Sequence, residues 1–252
     1  MIYCFSGTGN SLSTARMLGE KTGENVLQIS EAFKNKSFDA SNEDVIGLVF
    51  PTYWGTVPTF VKKFVNELKI NPDAYVFVVA TCGGGPGNTL ADAVALFDAK
   101  GVKVSYARVY ELPDNTAMIY GSPYDLATLD SQASLVAGYA ADINARSTDL
   151  GDIRRSAVVG LGAIIADPSI KFMGKLMKAN SDCTHCGTCA KVCPVENISV
   201  TPKKVKFGSK CVGCMACMHW CPQGAIQYSV LKFGKDHQYQ HPVIKLQDML
   251  KK

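Results

Sequence analysis

Eight of the ten cysteines in this 252-residue chain fall between positions 183 and 221, and their spacing is written twice. Cys183-x2-Cys186-x2-Cys189-x3-Cys193-Pro194 is followed by Cys211-x2-Cys214-x2-Cys217-x3-Cys221-Pro222. A tight run of three thiolates wraps one cuboidal iron–sulfur core, while the fourth cysteine, held by the turn before proline, reaches the other core. The spacing therefore predicts two [4Fe-4S] clusters with crossed ligands. Cys183, Cys186, Cys189 and Cys221 would hold one; Cys211, Cys214, Cys217 and Cys193 would hold the other. Zinc fits the pattern poorly, because a tetrahedral site draws Cys pairs from two separate knuckles. His185 and His219 lie inside the runs, but the ligand count is complete without them, so both are expected at the surface or behind the ligands. Gly187 and Gly213 are expected to relieve backbone crowding against the clusters. A disulfide scaffold is a poor alternative: the first 182 residues hold only Cys4 and Cys82, and a core this large folds without staples.

The duplication extends past the cysteines, since Cys193-Pro194-Val195-Glu196-Asn197-Ile198 parallels Cys221-Pro222-Gln223-Gly224-Ala225-Ile226. Residues 181–231 resemble the bacterial two-cluster ferredoxins. That resemblance implies a small α+β domain with pseudo-twofold symmetry, a short hairpin and a turn of helix in each half. Lys203, Lys204, Lys206 and Lys210 lie between the runs, on a solvated hairpin that could dock an acidic partner.

Charge divides the chain at about the same place. Residues 1–150 carry 11 Lys+Arg against 16 Asp+Glu, and residues 151–252 carry 15 against 6. A basic half usually raises nucleic acid or anionic lipid as a partner. Here eight thiolates and two cluster cores would remove much of that excess, so nucleic acid is not expected. No apolar run is long enough to span a membrane. The start Met1-Ile2-Tyr3-Cys4-Phe5 lacks the basic lead and cleavage site of a signal peptide, which makes the cytoplasm the expected location.

Residues 1–146 alternate apolar runs with helical periodicity. Strands are predicted at 1–5, 26–29, 45–50, 75–81 and 103–110, and helices at 11–22, 57–68, 89–99 and 125–145. Val76-Phe77-Val78-Val79-Ala80 is apolar throughout, as in a strand covered on both faces of a parallel sheet. Pro58 suits the first turn of a helix and Gly101 a helix end. The fold class expected is α/β, a doubly wound five-stranded parallel sheet.

Ligands of such folds bind beyond the C-terminal ends of the strands, and three of those ends carry unusual loops. Ser6-Gly7-Thr8-Gly9-Asn10-Ser11 joins strand one to helix one. Its small residues let backbone N–H groups turn inward, its hydroxyls add donors, and the helix N-terminus favours a phosphate. It is neither the dinucleotide fingerprint nor a Walker A loop. Pro51-Thr52-Tyr53-Trp54-Gly55 supplies an aromatic pair, and Thr81-Cys82-Gly83-Gly84-Gly85 supplies glycine-rich backbone. Aromatic rings on one side and open backbone groups on the other suit a flavin ring. Cys4, inside strand one, is expected to be packing only, whereas Cys82 belongs to the flavin pocket. Leu112-Pro113-Asp114-Asn115-Thr116 could form a further wall.

This N-terminal part resembles a flavodoxin, a family whose FMN phosphate sits in a Ser/Thr-x-Thr-Gly-x-Thr/Ser loop. Ser6, Thr8, Gly9, Asn10 and Ser11 match it, with Ser11 in place of the more frequent threonine. The resemblance implies FMN, with loops 51–55 and 81–85 flanking the isoalloxazine. The third loop lacks the tyrosine many flavodoxins place there, so one flavin face could stand open unless Tyr120 or another side chain seals it.

The expected organisation is a flavodoxin-like FMN domain at 1–146, a connector at 147–180, a 2[4Fe-4S] domain at 181–231 and a tail at 232–252. In the connector, apolar 157–166 suits packing between domains and Asp167-Pro168 is expected to interrupt any helix. In the tail, Pro242-Val243-Ile244-Lys245-Leu246 is expected to fold back. The whole resembles the fused flavodoxin/ferredoxin proteins of anaerobes. The function implied is electron transfer between the clusters and FMN, with redox proteins as donor and acceptor. The alternative is an FMN-dependent oxidoreductase acting on a small organic substrate, with the clusters as internal relay. Asp114 and Cys82 are the only acid/base candidates near the flavin loops, and neither is specific.

Overall fold

The computed structural model describes residues 1–228 and 235–250, with backbone alone for 163–169, 171 and 173. The predicted boundary at 231/232 therefore lies outside the described residues. The chain separates into two compact units. The first comprises Met1–Ser6, Asn10–Pro113 and Asp125–Ile164; the second comprises Gly7–Gly9, Asp114–Tyr124 and Ile165–Lys252.

In the first unit five parallel strands form one sheet: β1 (Ile2–Cys4), β2 (Val26–Gln28), β3 (Val45–Pro51), β4 (Tyr75–Cys82) and β5 (Val104–Glu111). Their spatial order is β2-β1-β3-β4-β5, the flavodoxin-like doubly wound order. Every residue of β4 is buried, as its unbroken apolar run demands of a central strand covered on both faces. Gly47 in β3 makes room for it: a Cβ there would lie 2.3 Å from the Phe77 ring. Phe77 is fully buried, so truncating it to alanine should cost about 3–5 kcal/mol.

The helices are α1 (Asn10–Thr22), α2 (Ile29–Asn35), α3 (Thr59–Glu67), α4 (Thr89–Asp98) and α5 (Gln132–Asn144). Helix α1 packs against α5, burying Leu12, Ala15 and Leu18 of one and Val136, Ala140 and Ile143 of the other. Phe60 and Phe64 of α3 join Phe33 of α2 in an aromatic cluster, with the Phe33 and Phe60 rings stacked at 4.9 Å. The predicted helix 125–145 is shorter than expected. Asp125 accepts the N–H of Ala127 and caps a 3-10 turn at Leu126–Leu129, and the α-helix starts only after it.

The register brings the strand ends level. Pro51 pairs with Thr81 across β3 and β4, Cys82 pairs with Glu111 across β4 and β5, and the Phe5 amide donates to the Val49 carbonyl. The loops after β1, β3 and β4 thus leave from one edge.

Helix α6 (Ala157–Lys175) begins in the first unit and ends in the second. It runs through Pro168, contrary to the expected interruption. Proline withholds a single N–H, which bends a helix more readily than it ends one when the turns beyond have packing of their own.

The second unit holds two antiparallel pairs. β6 (Met177–Ala179) pairs with β9 (Ile226–Tyr228), and β7 (Ile198–Thr201) with β8 (Lys204–Phe207). Single helical turns α7 (Thr188–Lys191) and α8 (Ala216–His219) follow the two cysteine triplets. Met177, Ile198, Met215, Met218, Ile226 and Tyr228 pack with the cysteines as its core. Among the described residues no helix is long and apolar enough to cross a membrane.

Candidate flavin and cluster sites

At the β1–α1 loop, Ser11 is fully buried and its Oγ lies 2.9 Å from Thr81 Oγ1, tying the first loop to the third. Asn10 Nδ2 donates to the Pro113 carbonyl at 3.0 Å, which fastens the segment after β5 beside it. Gly9 has φ +105°, a value only glycine adopts without strain.

The second loop is a tight turn. Tyr53 and Thr56 exchange both backbone hydrogen bonds, at 3.1 and 3.0 Å, with Trp54 and Gly55 between them at φ +54° and +71°. Two positive φ values define a type I′ turn, which suits Asn-Gly and is strained for tryptophan. That strain holds a large ring outward: Trp54 is 56 % exposed. The third loop presses against this turn. The Asn88 amide donates to the Gly55 carbonyl at 2.7 Å, and a Cβ on Gly87 would stand 2.5 Å from the Gly55 Cα. Gly84 and Gly85, in contrast, have open space around them. The Thr52 amide donates to the Thr81 carbonyl at 2.7 Å, so loops two and three are joined at their roots as well.

The donor set fits a flavin in two further respects. Thr52 Oγ1 and Thr89 Oγ1, flanking loops two and three, are buried with no hydrogen-bond partner among the described residues. Buried hydroxyls are seldom left so, and both could bond to a polar ligand edge. The Cys82 thiol donates to the Tyr110 carbonyl at 3.7 Å, toward β5. Cys4 is buried in β1 and burial pushes its thiol up, which leaves it an inert packing residue.

The cysteines of the two runs gather into two sets, each drawing from both runs. One cavity is lined by Cys193, Cys211, Cys214 and Cys217, with Ile198, Phe207 and Tyr228 as its apolar wall. Cys189 has Cys221, Cys183 and Cys186 as its neighbouring thiols, the other crossed set. Among the described residues no three His, Cys, Asp or Glu side chains converge on a single ion. A cuboidal cluster asks for a wider cage, with one thiolate on each iron.

Local geometry repeats between the halves. His185 and Gly213 occupy equivalent positions at φ +57° and +72°, as do Gly187 and Met215 at +80° and +55°. A Cβ on Gly187 would meet nothing within 4 Å, so backbone conformation rather than crowding calls for glycine there. Cys193 Sγ accepts the Asn197 amide and Cys221 Sγ accepts the Ala225 amide, both at 3.3 Å. Such N–H···S bonds offset thiolate charge and tune the potential of a bound cluster.

Burial pushes Cys214 and Cys217 up and takes Cys189 to about 11, while hydrogen bonds from Thr188 hold the exposed Cys186 down. Buried thiols of this kind ionise only when a cation compensates them, which is what an iron–sulfur core supplies. His219 is buried completely; its Nδ1 accepts the Tyr239 amide, which leaves Nε2 to donate to the Asn115 carbonyl. It is therefore a bracing residue behind the second run, not a surface group.

Residues 182–225 match the family described as the 4Fe-4S dicluster domain. The chain thus contains an iron–sulfur segment of the ferredoxin type, which follows in sequence a parallel α/β unit with flavodoxin-like strand order. No curated protein matches the chain. Similar solved structures include a Megasphaera elsdenii flavodoxin in its two-electron reduced form. It is 19 % identical and covers 56 % of this chain and 97 % of its own, with a TM-score of 0.36. The Trp repressor binding protein of Bacillus subtilis is 12 % identical, covering 53 % and 94 %, with a TM-score of 0.38. An FMN-dependent NADH-azoreductase of Bacillus anthracis, in complex with FMN, is 13 % identical, covering 53 % and 73 %, with a TM-score of 0.30. At such TM-scores the likeness carries no argument of its own; the strand order does.

Proposed function

We propose that this chain is a fused flavodoxin/ferredoxin redox mediator that moves electrons between two [4Fe-4S] clusters and FMN. The observation that carries the reading is the cavity lined by Cys193 together with Cys211, Cys214 and Cys217, in which a cysteine of the first run joins the triplet of the second. That crossing is what two clusters require and what a pair of independent knuckles lacks.

When bound, the clusters would exchange one electron each and FMN one or two. The chain's own residues do the holding and tuning. Thr8 and Ser11 offer hydroxyls, and the α1 N-terminus its N–H groups, to the phosphate. Trp54, held out by its turn, and Tyr53 stand ready to flank the ring. The Asn197 and Ala225 amides reduce charge on the sulfurs of Cys193 and Cys221. Placing both kinds of site on one polypeptide raises the effective concentration of one centre at the other.

The carrier reading is favoured over a reductase with its own organic substrate because neither acid/base candidate is presented for proton transfer. Asp114 accepts the amide and hydroxyl of Thr116 at 2.8 and 2.7 Å, and the Cys82 thiol is turned onto Tyr110. The test uses anaerobically reconstituted protein with iron, sulfide and FMN quantified. Cys186→Ser and Cys214→Ser should each lose one cluster and slow electron entry to FMN from a low-potential donor. Unchanged entry in both would defeat the reading.

A further inference from the structure

Gly7–Gly9 of the glycine-rich loop after β1 belong to the second compact unit, together with Trp220 and residues 241–244. Thr8 is only 4 % exposed. Two donors of that unit account for this. Trp220 Nε1, from the residue before cluster ligand Cys221, donates to the Gly7 carbonyl at 3.0 Å. The His241 amide donates to the Thr8 carbonyl at 2.9 Å. His241 and Ile244 also lie against Gly9, where an added Cβ would stand 2.9 Å from the His241 Cβ and 3.0 Å from that of Ile244.

These donors sit on a braced frame. Gln238 Nε2 donates to the Met218 and Cys221 carbonyls at 2.6 and 2.8 Å, and Gln240 Nε2 to the His219 carbonyl at 2.6 Å. The tail 238–244 is thus stitched to the backbone that carries Cys217 and Cys221, and through it to the loop.

Peptide planarity gives this arrangement a consequence. In a trans peptide the C=O and the following N–H point in opposite directions, and no cis bond occurs among the described residues. Holding the Gly7 and Thr8 carbonyls on Trp220 and His241 aims the Thr8 and Gly9 N–H groups away from the tail. Those are the amides an anion-binding loop must present.

We propose that Trp220 and the 241–244 segment are positioning residues for the FMN phosphate, so that phosphate affinity depends on the frame that holds the second cysteine run. The inference rests on the reading of residues 6–11 as the FMN phosphate loop. By linkage, FMN must in turn steady that frame.

The test measures dissociation constants for FMN and for riboflavin, which lacks the phosphate, by fluorescence quenching of the full cluster-loaded chain. Trp220→Phe keeps the ring and removes the donor; Ile244→Ala loosens the tail without touching a cysteine neighbour; Ser11→Ala is the control inside the loop. Loss of one hydrogen bond's worth of positioning should weaken FMN about three- to ten-fold while riboflavin is unchanged. FMN saturation should also slow iron release to a chelator in wild type, and much less in Trp220→Phe. If Ser11→Ala weakens FMN but Trp220→Phe and Ile244→Ala do not, the positioning role is wrong and the loop reading stands. Equal losses for FMN and riboflavin would mean general destabilisation and also overturn it. If wild type does not prefer FMN over riboflavin, the loop reading itself fails. Should Trp220→Phe lose its clusters, Ile244→Ala carries the test.

Discussion

Gly174 lies at a buried position near the end of α6, pressed on Cys211, one of the proposed cluster ligands. A Cβ there would stand 2.3 Å from the Cys211 Cβ and 3.0 Å from its Sγ. Carbon atoms rest at about 3.5 Å or more, so Gly174→Ala demands a shift of about 1.2 Å. Helix α6 cannot yield easily on this side, because Ile170 already lies 3.1 Å from where a Cβ on Gly213 would stand. The cheaper response is for Cys211 to swing out of the cavity it shares with Cys193, Cys214 and Cys217. Overpacking of this size costs about 1–3 kcal/mol, within what the fold can absorb, but a ligand displaced by 1 Å no longer meets its iron. The Gly174→Ala protein should therefore fold, with circular dichroism close to wild type, and hold about four irons per chain instead of about eight. EPR of the reduced protein should show one cluster signal, as in Cys211→Ser. Retention of all the iron and both signals would refute the argument from packing.

Other outcomes follow from the geometry. Trp54→Asn should relieve the positive-φ strain of the 53–56 turn and raise the melting temperature of the flavin-free protein by about 2–4 °C, while altering the visible band of bound flavin. His241 has its pKa pushed down to about 4 by burial. Between pH 6.5 and 4 the unfolded chain binds a proton there that the folded chain refuses, so this stability is present above 6.5 and is lost as pH falls. Denaturant titrations at pH 7 and 5.5 should show wild type losing about 1 kcal/mol more than His241→Asn; equal losses would place the titration elsewhere. Cluster-free protein should lose stability as pH rises from 9 toward 11, since burial raises Cys189 to about 11 and also pushes Cys211 and Cys214 of the other cysteine set upward. Ionising the buried thiols then favours the unfolded chain, and a flat profile over that range would contradict the raised values.

Strand β4 was legible because a strand buried on both faces must be apolar at every position, and Val76–Ala80 is. The iron–sulfur segment was legible because its cysteine spacing is local. What stayed hidden depends on distant pairing. Helix α2 at 29–35 is short, and its burial against α3 comes from Phe33 meeting Phe60 and Phe64, which no local period announces. The type I′ turn at Trp54-Gly55 carries a residue that the turn disfavours, so turn chemistry argued against it. The sequence left His219 either at the surface or behind the ligands, and what decides for the interior is distant: both of its ring nitrogens are occupied by residues 20 or more positions away. The bracing of Gly7–Gly9 by Trp220 and His241 joins chain segments over 200 residues apart, and only the Ile244 stretch gave a hint that the tail folds back.

The central claim is that the clusters and FMN exchange electrons on one chain. An anaerobic redox titration of reconstituted protein, followed together by visible absorption and EPR, tests it most directly. The account predicts two S = 1/2 cluster signals and a flavin that takes up electrons as the clusters give them. A flavin that stays oxidised beside reduced clusters, with no exchange on any timescale of the titration, would contradict it.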